Sequence, residues 1–313
     1  MTSNVTSIAT SRADSGEWLS GFIPDLPTPF NHRDEIDTEA FGRLCERQIA
    51  AGATALVVGE TAGESSTLEP AERTQLVRIA ARVARKRVRI IAGAGSNATD
   101  RAVTFTAAAE AAGADAIMSV VPYYNKPMPQ GMAAHFRAVA AATTLPVILH
   151  DIPSRTVKGL ADETLVELAA LPQIMGLRDG SGDIGRLTRL RSRLPATFQM
   201  LTGDDTISLA HLAAGGHGCI STVANLAPDL CVAVARHLRA GRLHQARELH
   251  RRLTPLATLL ERDHPAALKF ALALLGFMQP ATRLPIVQLE AQAKAEIAQA
   301  MTDIADDYLA EAK

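Results

Sequence analysis

Arg178 lies in Gln173 to Asp183, read Gln-Ile-Met-Gly-Leu-Arg-Asp-Gly-Ser-Gly-Asp, where an apolar start and a Gly-rich end predict a buried strand running into a turn. A long cationic side chain at the tip of such a strand needs a partner, either a salt bridge to a neighbouring strand or an anion held in a site. His150 opens a second segment, His150-Asp151-Ile152-Pro153-Ser154-Arg155-Thr156. Its imidazole can serve as general acid or base near neutral pH, or fill space as a hydrogen-bonded core histidine. Arg155 can orient a distal carboxylate or bind the carbonyls of its own loop. Glu60-Thr61-Ala62-Gly63-Glu64-Ser65 offers hydroxyls and glycine-freed amides that suit a carboxylate or a proton relay. Tyr123 and Tyr124, two of the chain's three tyrosines, stand between Pro122 and Pro127 and supply either a relay phenol or an aromatic subunit contact.

Other motifs read as punctuation. Gly93-Ala94-Gly95-Ser96-Asn97 lacks the third glycine of a dinucleotide fingerprint, because Ala98 occupies its place. Gly203-Asp204-Asp205 is read as helix capping, since no convergent carboxylate and histidine cluster accompanies it, and no metal or other cofactor is expected. Cys219 sits in the apolar end of Gly215 to Ser221 and is read as packed, not nucleophilic.

These segments must be held by the elements before them. Short apolar runs predict strands at Phe22 to Leu26, Ala55 to Gly59, Val88 to Ala92, Ala116 to Val120, Val147 to His150, Ile174 to Arg178, Gln199 to Thr202 and Gly218 to Ser221. Ala-rich helical stretches lie between them, among them Thr38 to Ala51, Pro70 to Lys86, Thr99 to Ala112, Gly131 to Ala142 and Asp162 to Ala170. Strands alternating with helices in this way predict an α/β fold, a (β/α)8 TIM barrel, with an open doubly wound sheet as the alternative. From Ala227 the strand signals stop and about four helical segments follow, with Pro265 and Pro285 near helix starts. The expected organisation is a loose tail over 1–17, the barrel over 18–226 and a C-terminal helical subdomain over 227–313.

Composition narrows the partners. Hydrophobic residues make up 47% of the chain and aromatics 4%, so the core rests on aliphatic side chains, as helices against a parallel sheet require. With 32 basic against 33 acidic residues and a formal net charge of −1, no footprint for nucleic acid or an acidic membrane surface is present. No apolar run reaches the ~18 residues of a membrane span. Three cysteines without paired spacing and no signal-peptide pattern point to a reducing cytoplasm.

In their order along the chain these segments resemble the dihydrodipicolinate synthase and N-acetylneuraminate lyase superfamily of pyruvate-dependent barrels. The likeness runs from about Gly21 to Gly276 and rests on Thr28-Pro29-Phe30, Gly63-Glu64-Ser65 with Thr67-Leu68, Pro122 to Pro127, Ile152 to Thr156, Gly176 to Asp183, Gly203-Asp204-Asp205 and Gly218 to Ser221 with Asn225. Tyr-Tyr-Asn-Lys-Pro and Ile-Pro-Ser-Arg-Thr look most like the dihydrodipicolinate synthase branch. The resemblance implies a lysine imine at the end of strand six, where this chain has Arg178, whose guanidinium stays protonated and cannot form it. It implies a relay tyrosine at the end of strand five, where this chain has His150. It also implies a second carboxylate-binding hydroxyl, replaced in this chain by Ala62, and a glycine, replaced by Glu60. Retained by resemblance are Thr61 and Tyr124 in a relay, Tyr124 reaching a neighbouring subunit, with Arg155, Gly203 and Ile220 along the pocket and a homotetramer, a dimer of dimers, as the assembly. The expected function is a lyase on a 2-oxo acid or related carboxylate without a lysine imine. The alternatives are a non-catalytic carboxylate-binding or regulatory homologue and, least favoured from the residues, a true 4-hydroxy-tetrahydrodipicolinate synthase.

Overall fold

The computed structural model describes residues 16–311, so the expected loose tail over 1–17 lies, but for its last two residues, outside the described residues. Eight parallel strands follow the chain: β1 (Gly21–Pro24), β2 (Ala55–Val58), β3 (Arg89–Gly93), β4 (Ala116–Val120), β5 (Val147–Asp151), β6 (Ile174–Asp179), β7 (Gln199–Thr202) and β8 (Gly218–Ser221). They pair in the order β1-β8-β7-β6-β5-β4-β3-β2. Asp25 bridges Val57, and the Leu26 amide donates to the Val57 carbonyl at 3.0 Å, so the two edges meet and the sheet closes into a barrel.

Outside the strands run α1 (Thr38–Ala50), α2 (Pro70–Ala84), α3 (Thr99–Ala111), α4 (Pro129–Ala141), the short α5 (Pro153–Thr156), α6 (Asp162–Leu168), α7 (Ile184–Arg191) and α8 (Ser208–Ala213). Their starts follow local chemistry. Asp37 accepts from the Ala40 amide at 2.9 Å ahead of α1, and Pro70 opens α2 behind a capping box of Glu69 and Glu72. Four more helices follow: α9 (Pro228–Arg239), α10 (Leu243–Arg262), α11 (Ala266–Leu274) and α12 (Ala291–Glu311). α9 packs against β1 and α10, and α12 packs against α10 and α11. No described helix is long and apolar enough to cross a membrane. Pro265 does precede a helix, whereas Pro285 lies in the connection before α12, well ahead of its start at Ala291.

The fold builds the site through strand periodicity. A layer of Ile23, Val57, Ile91, Met118, Ile148, Leu201 and Ile220 fills the barrel axis. Side chains of a strand alternate, so the residues two further along face the same axis one layer nearer the C-terminal mouth. Those are Asp25, Gly59, Gly93, Val120, His150, Gly203 and Thr222, joined by Arg178 two beyond Gly176. His150 and Arg178 are register partners on adjacent strands. An apolar plug is thus capped by a layer that carries the polar side chains beside Val120, and glycines give that layer room: a Cβ on Gly93 would stand 2.3 Å from the Gly59 carbonyl oxygen.

Candidate active site

Arg178 is 4% exposed and pairs with two carboxylates. Its Nη1 donates to Asp25 Oδ2 at 2.9 Å and to Glu60 Oε2 at 3.3 Å. The other oxygen of Glu60, Oε1, lies 2.9 Å from His150 Nδ1, and Glu60 Oε2 also accepts from the amide and hydroxyl of Thr61. Glu60 therefore bridges the two adjacent strand-end residues: it is at once the salt-bridge partner of Arg178 and the orienting group of His150.

The charges follow from burial and contact. Burial works against ionisation of Glu60, but His150, Arg178 and the Thr61 hydroxyl together hold its carboxyl below the usual range. Burial pushes the Asp25 carboxyl up to about 6, against the pull of Arg178. Burial also lowers the His150 imidazole, with Arg178 adding to the effect and Glu60 opposing it. A neutral His150 donates Nδ1–H to Glu60 and leaves Nε2 as a lone-pair base; Nε2 has no hydrogen-bond partner within the protein. Arg178 stays cationic, as guanidinium does.

A small cavity of about 50 Å³ is lined by Thr61, Arg155, Arg178, Gly203, Thr222 and His264 among others; of the network only Arg178 and Thr61 line it, and the buried His150, Glu60 and Asp25 do not. At about 10–15 Å³ for each water-sized group, that is room for roughly three to five such groups, the scale of a small organic acid. Asp204 and Glu261 add acidic groups to the lining. Arg155 Nη2 lies 3.5 Å from His264 Nδ1, and burial, aided by Arg155 and Arg178, lowers the His264 imidazole to about 3, so it is neutral at physiological pH.

Gly203 is required by close approach. A Cβ there would lie 2.9 Å from Arg178 Nε and 3.3 Å from its Cγ. Gly203→Ala is expected to push the guanidinium off its carboxylates and destabilise the protein by about 1–3 kcal/mol. Urea melts of the variant against the parent measure it, and an unchanged midpoint would place Arg178 elsewhere.

The loop that carries Glu60 and Thr61 is fixed from outside the barrel. Glu64 adopts a left-handed backbone with φ of 55°. Its Oε1 pairs with Lys269 Nζ at 2.5 Å, its Oε2 accepts from the Arg283 amide at 3.0 Å, and Thr28 Oγ1 donates to the Gly63 carbonyl at 2.7 Å. Lys269 Nζ and the Arg283 guanidinium stack on the Phe30 ring at 4.1 and 4.3 Å. Burial lowers the Lys269 ammonium to about 8 against the pull of Glu64.

Several of the residues anticipated from sequence converge, and others do not. Arg178, His150, Glu60 and Thr61 form one network, and Arg155 and Gly203 line the cavity. The Thr61 hydroxyl is committed to Glu60. Ala62 is fully buried and packs among residues of the C-terminal helices. Ile220 sits in the barrel's apolar layer, with Thr222 two residues on lining the cavity in its place. Tyr124, at 89% exposure, lies on the outer surface and is not among the residues lining the cavity. Asp205 does cap a turn, but a distant one: its carboxylate takes the amides of Thr222 and Val223 and the Ser221 hydroxyl, fastening the segment after β8. Cys219 is buried and its thiol is pushed well above its ordinary value by burial, which suits packing.

Asp25, Glu261 and His264 were not anticipated. Asp25 hid inside what read as the apolar strand Phe22 to Leu26; an acid at the C-terminal end of a barrel strand was the available signal. Glu261 and His264 come from the end of α10 and the turn beyond it, and helical periodicity carries no sign of which turn overhangs the barrel mouth.

Residues 18–304 match the Dihydrodipicolinate synthetase family. The chain is 45% identical over 284 residues to the 4-hydroxy-tetrahydrodipicolinate synthase of Hyphomonas neptunium, covering 90% of this chain and 97% of that one. The structure of the 4-hydroxy-tetrahydrodipicolinate synthase from Methylacidiphilum fumariolicum superposes with a TM-score of 0.89 at 36% identity, covering 92% of this chain and 96% of that one. The dihydrodipicolinate synthase of Acinetobacter baumannii, solved in complex with pyruvate, superposes with a TM-score of 0.89 at 35% identity, covering 92% and 99%.

Proposed function

This chain belongs to the dihydrodipicolinate synthetase family, and from that premise we propose that it is a lyase acting on a small 2-oxo acid by proton transfer, without a lysine imine. The observation that carries the reading is the pair His150 and Arg178, adjacent in register at the barrel mouth and bridged by Glu60.

The chemistry follows from the charges. Arg178 holds the substrate through its 2-oxo or carboxylate oxygens. Nε2 of His150 takes a proton from C3; the C3–H electron pair becomes the C2=C3 bond, and the negative charge collects on the C2 oxygen beside the guanidinium. Glu60 keeps the imidazole in the tautomer with Nδ1–H and stabilises the imidazolium that forms, as an orienting carboxylate does in a catalytic triad. The carbanion equivalent at C3 then makes or, in reverse, breaks a carbon–carbon bond.

Lysine placement supports this reading. Lys269 is locked to Glu64, Lys86 pairs with Asp115 at 2.9 Å on the exposed surface, Lys126 and Lys158 are exposed, and Lys294 lies over Phe270. Among the described residues none of them lines the cavity. A second reading, 4-hydroxy-tetrahydrodipicolinate synthase, is favoured by the name that the relatives share; the family resemblance ties that activity to an imine-forming lysine. Incubating the protein with pyruvate in D2O and following the methyl signal by NMR tests the proposal. Enzyme-dependent deuterium exchange is expected, and exchange no faster than in buffer would contradict it.

A further inference from the structure

The buried charges at the barrel mouth do not balance. Arg178 is one cation; Asp25 and Glu60 are two carboxylates; the three are 4%, 0% and 5% exposed, and a single nitrogen of the guanidinium serves both acids. A carboxylate ligand placed on Arg178 would add another negative charge to a set already one in excess, and uncompensated charge in a buried site is costly. We propose that the site takes up its anionic 2-oxo acid together with one proton, held on Oδ1 of Asp25. The inference rests on the functional reading above and adds to it the form in which the substrate is accepted.

Hydrogen bonding decides where the proton goes. Glu60 accepts from Thr61 twice, from His150 and from Arg178, which fixes it as the ionised member. Asp25 places Oδ2 on Arg178 and has the Ala62 backbone amide directed at its carboxyl, while its fully buried Oδ1 makes no hydrogen bond of normal geometry. A proton there leaves the Oδ2 contact intact and brings the set of Arg178, Glu60 and Asp25 to neutrality before the ligand adds its charge. The raised carboxyl of Asp25 points the same way.

Groups on several elements face this set: from α2, the charge of Arg73 bears on Glu60, and after β7 the buried Asp205, its carboxyl also raised by burial, accepts from the Cys219 thiol at 3.6 Å and from Ser221, Thr222 and Val223. From β5, His150 is kept from protonation chiefly by burial, with Glu60 favouring the charged form and Arg178 opposing it. From β8, Cys219 carries a thiol that stays neutral. From β4, Met118 contributes only its Sδ, 4.0 Å from Arg178 Nη1, and beyond β8 the Asn225 amide binds the Asp25 backbone carbonyl at 2.8 Å. At the rim, Arg155 stands among Asp204, Glu261 and a neutral His264, nearer solvent and more strongly screened.

Isothermal titration of the intact protein with pyruvate, at one pH near 7.5 in two buffers of different ionisation enthalpy, measures the proton directly. Uptake close to one proton is expected, with Kd rising about tenfold from pH 7 to pH 8. In Asp25→Asn, whose fold is checked by its melting curve, the uptake vanishes and Kd becomes flat over that range. Wild-type binding without proton exchange overturns the inference while leaving the functional reading intact. Uptake that survives in Asp25→Asn places the proton elsewhere and overturns it too. Absence of pyruvate binding at every pH removes the functional reading and this inference together. If the variant does not fold, difference infrared spectroscopy of the wild type on adding pyruvate decides: a new protonated-carboxyl band is expected, and uptake without one overturns the inference.

Discussion

His150→Gln slows enzyme-dependent deuterium exchange at the pyruvate methyl group by about a hundredfold or more, the range that a positioned general base contributes. The glutamine side chain can still donate to Glu60 Oε1, so the network around Arg178 is kept, but no basic nitrogen remains to take the proton. Glu60→Gln gives the companion result. It removes the charge that orients and stabilises the imidazole while conserving shape, so exchange falls and the pH at which it is half-maximal shifts downward, because an imidazole without its carboxylate neighbour is a weaker base. Exchange that persists at the parent rate in His150→Gln would assign the base to another group.

Removing the cation has the larger effect on folding. Arg178→Met leaves Asp25 and Glu60 buried without a counter-charge, and breaking a buried ion pair from one side destabilises by about 3–5 kcal/mol. The pH dependence follows from the direction in which the carboxyls move. Without Arg178 the Asp25 carboxyl, already raised to about 6 by burial, rises further, while Glu60 loses one of the groups that hold it down but keeps His150 and Thr61, so the folded variant binds protons more readily than the folded parent. The deficit is therefore largest above the raised Asp25 value and shrinks as pH falls through it, so it is smaller at pH 5 than at pH 7. Chemical denaturation of parent and variant at pH 7 and pH 5 checks this. A deficit that is equal at both, or that grows on acidification, would mean that the two carboxylates do not depend on Arg178.

Much of this arrangement was legible in the sequence. All eight strands and most of the helices between them are visible because each buried strand is a short aliphatic run and several helix starts carry Pro, Thr or Asp in a capping position. Barrel closure was inferred from that alternation and is made by the contact between Asp25 and Val57. Arg178, His150 and Glu60 stood out because a charged or titratable side chain at the end of an apolar run demands a partner. What the sequence could not show is that they are partners of one another. Register between β5 and β6 puts His150 opposite Arg178, and a side chain from the turn after β2 reaches both. Asp25 was obscured because its neighbours Ile23, Pro24 and Leu26 made it look like an interruption of the strand and not its functional tip. Lys269 was equally hidden, a single cation inside the apolar helix Ala266–Leu274, and its role appears only once Glu64 and Phe30 are seen against it.

The conflict between the relatives' shared name and the residues at the mouth comes down to one bond. The relatives share the name 4-hydroxy-tetrahydrodipicolinate synthase. An arginine held between Asp25 and Glu60 at the end of β6 argues for a different first step. The measurement that separates them is treatment of the protein with pyruvate and borohydride, followed by intact-mass analysis. With Arg178 as a non-covalent anion holder, the mass stays unchanged under conditions in which pyruvate raises the melting temperature. A mass increased by one reduced pyruvate would show that a lysine forms the imine, and would contradict that role of Arg178.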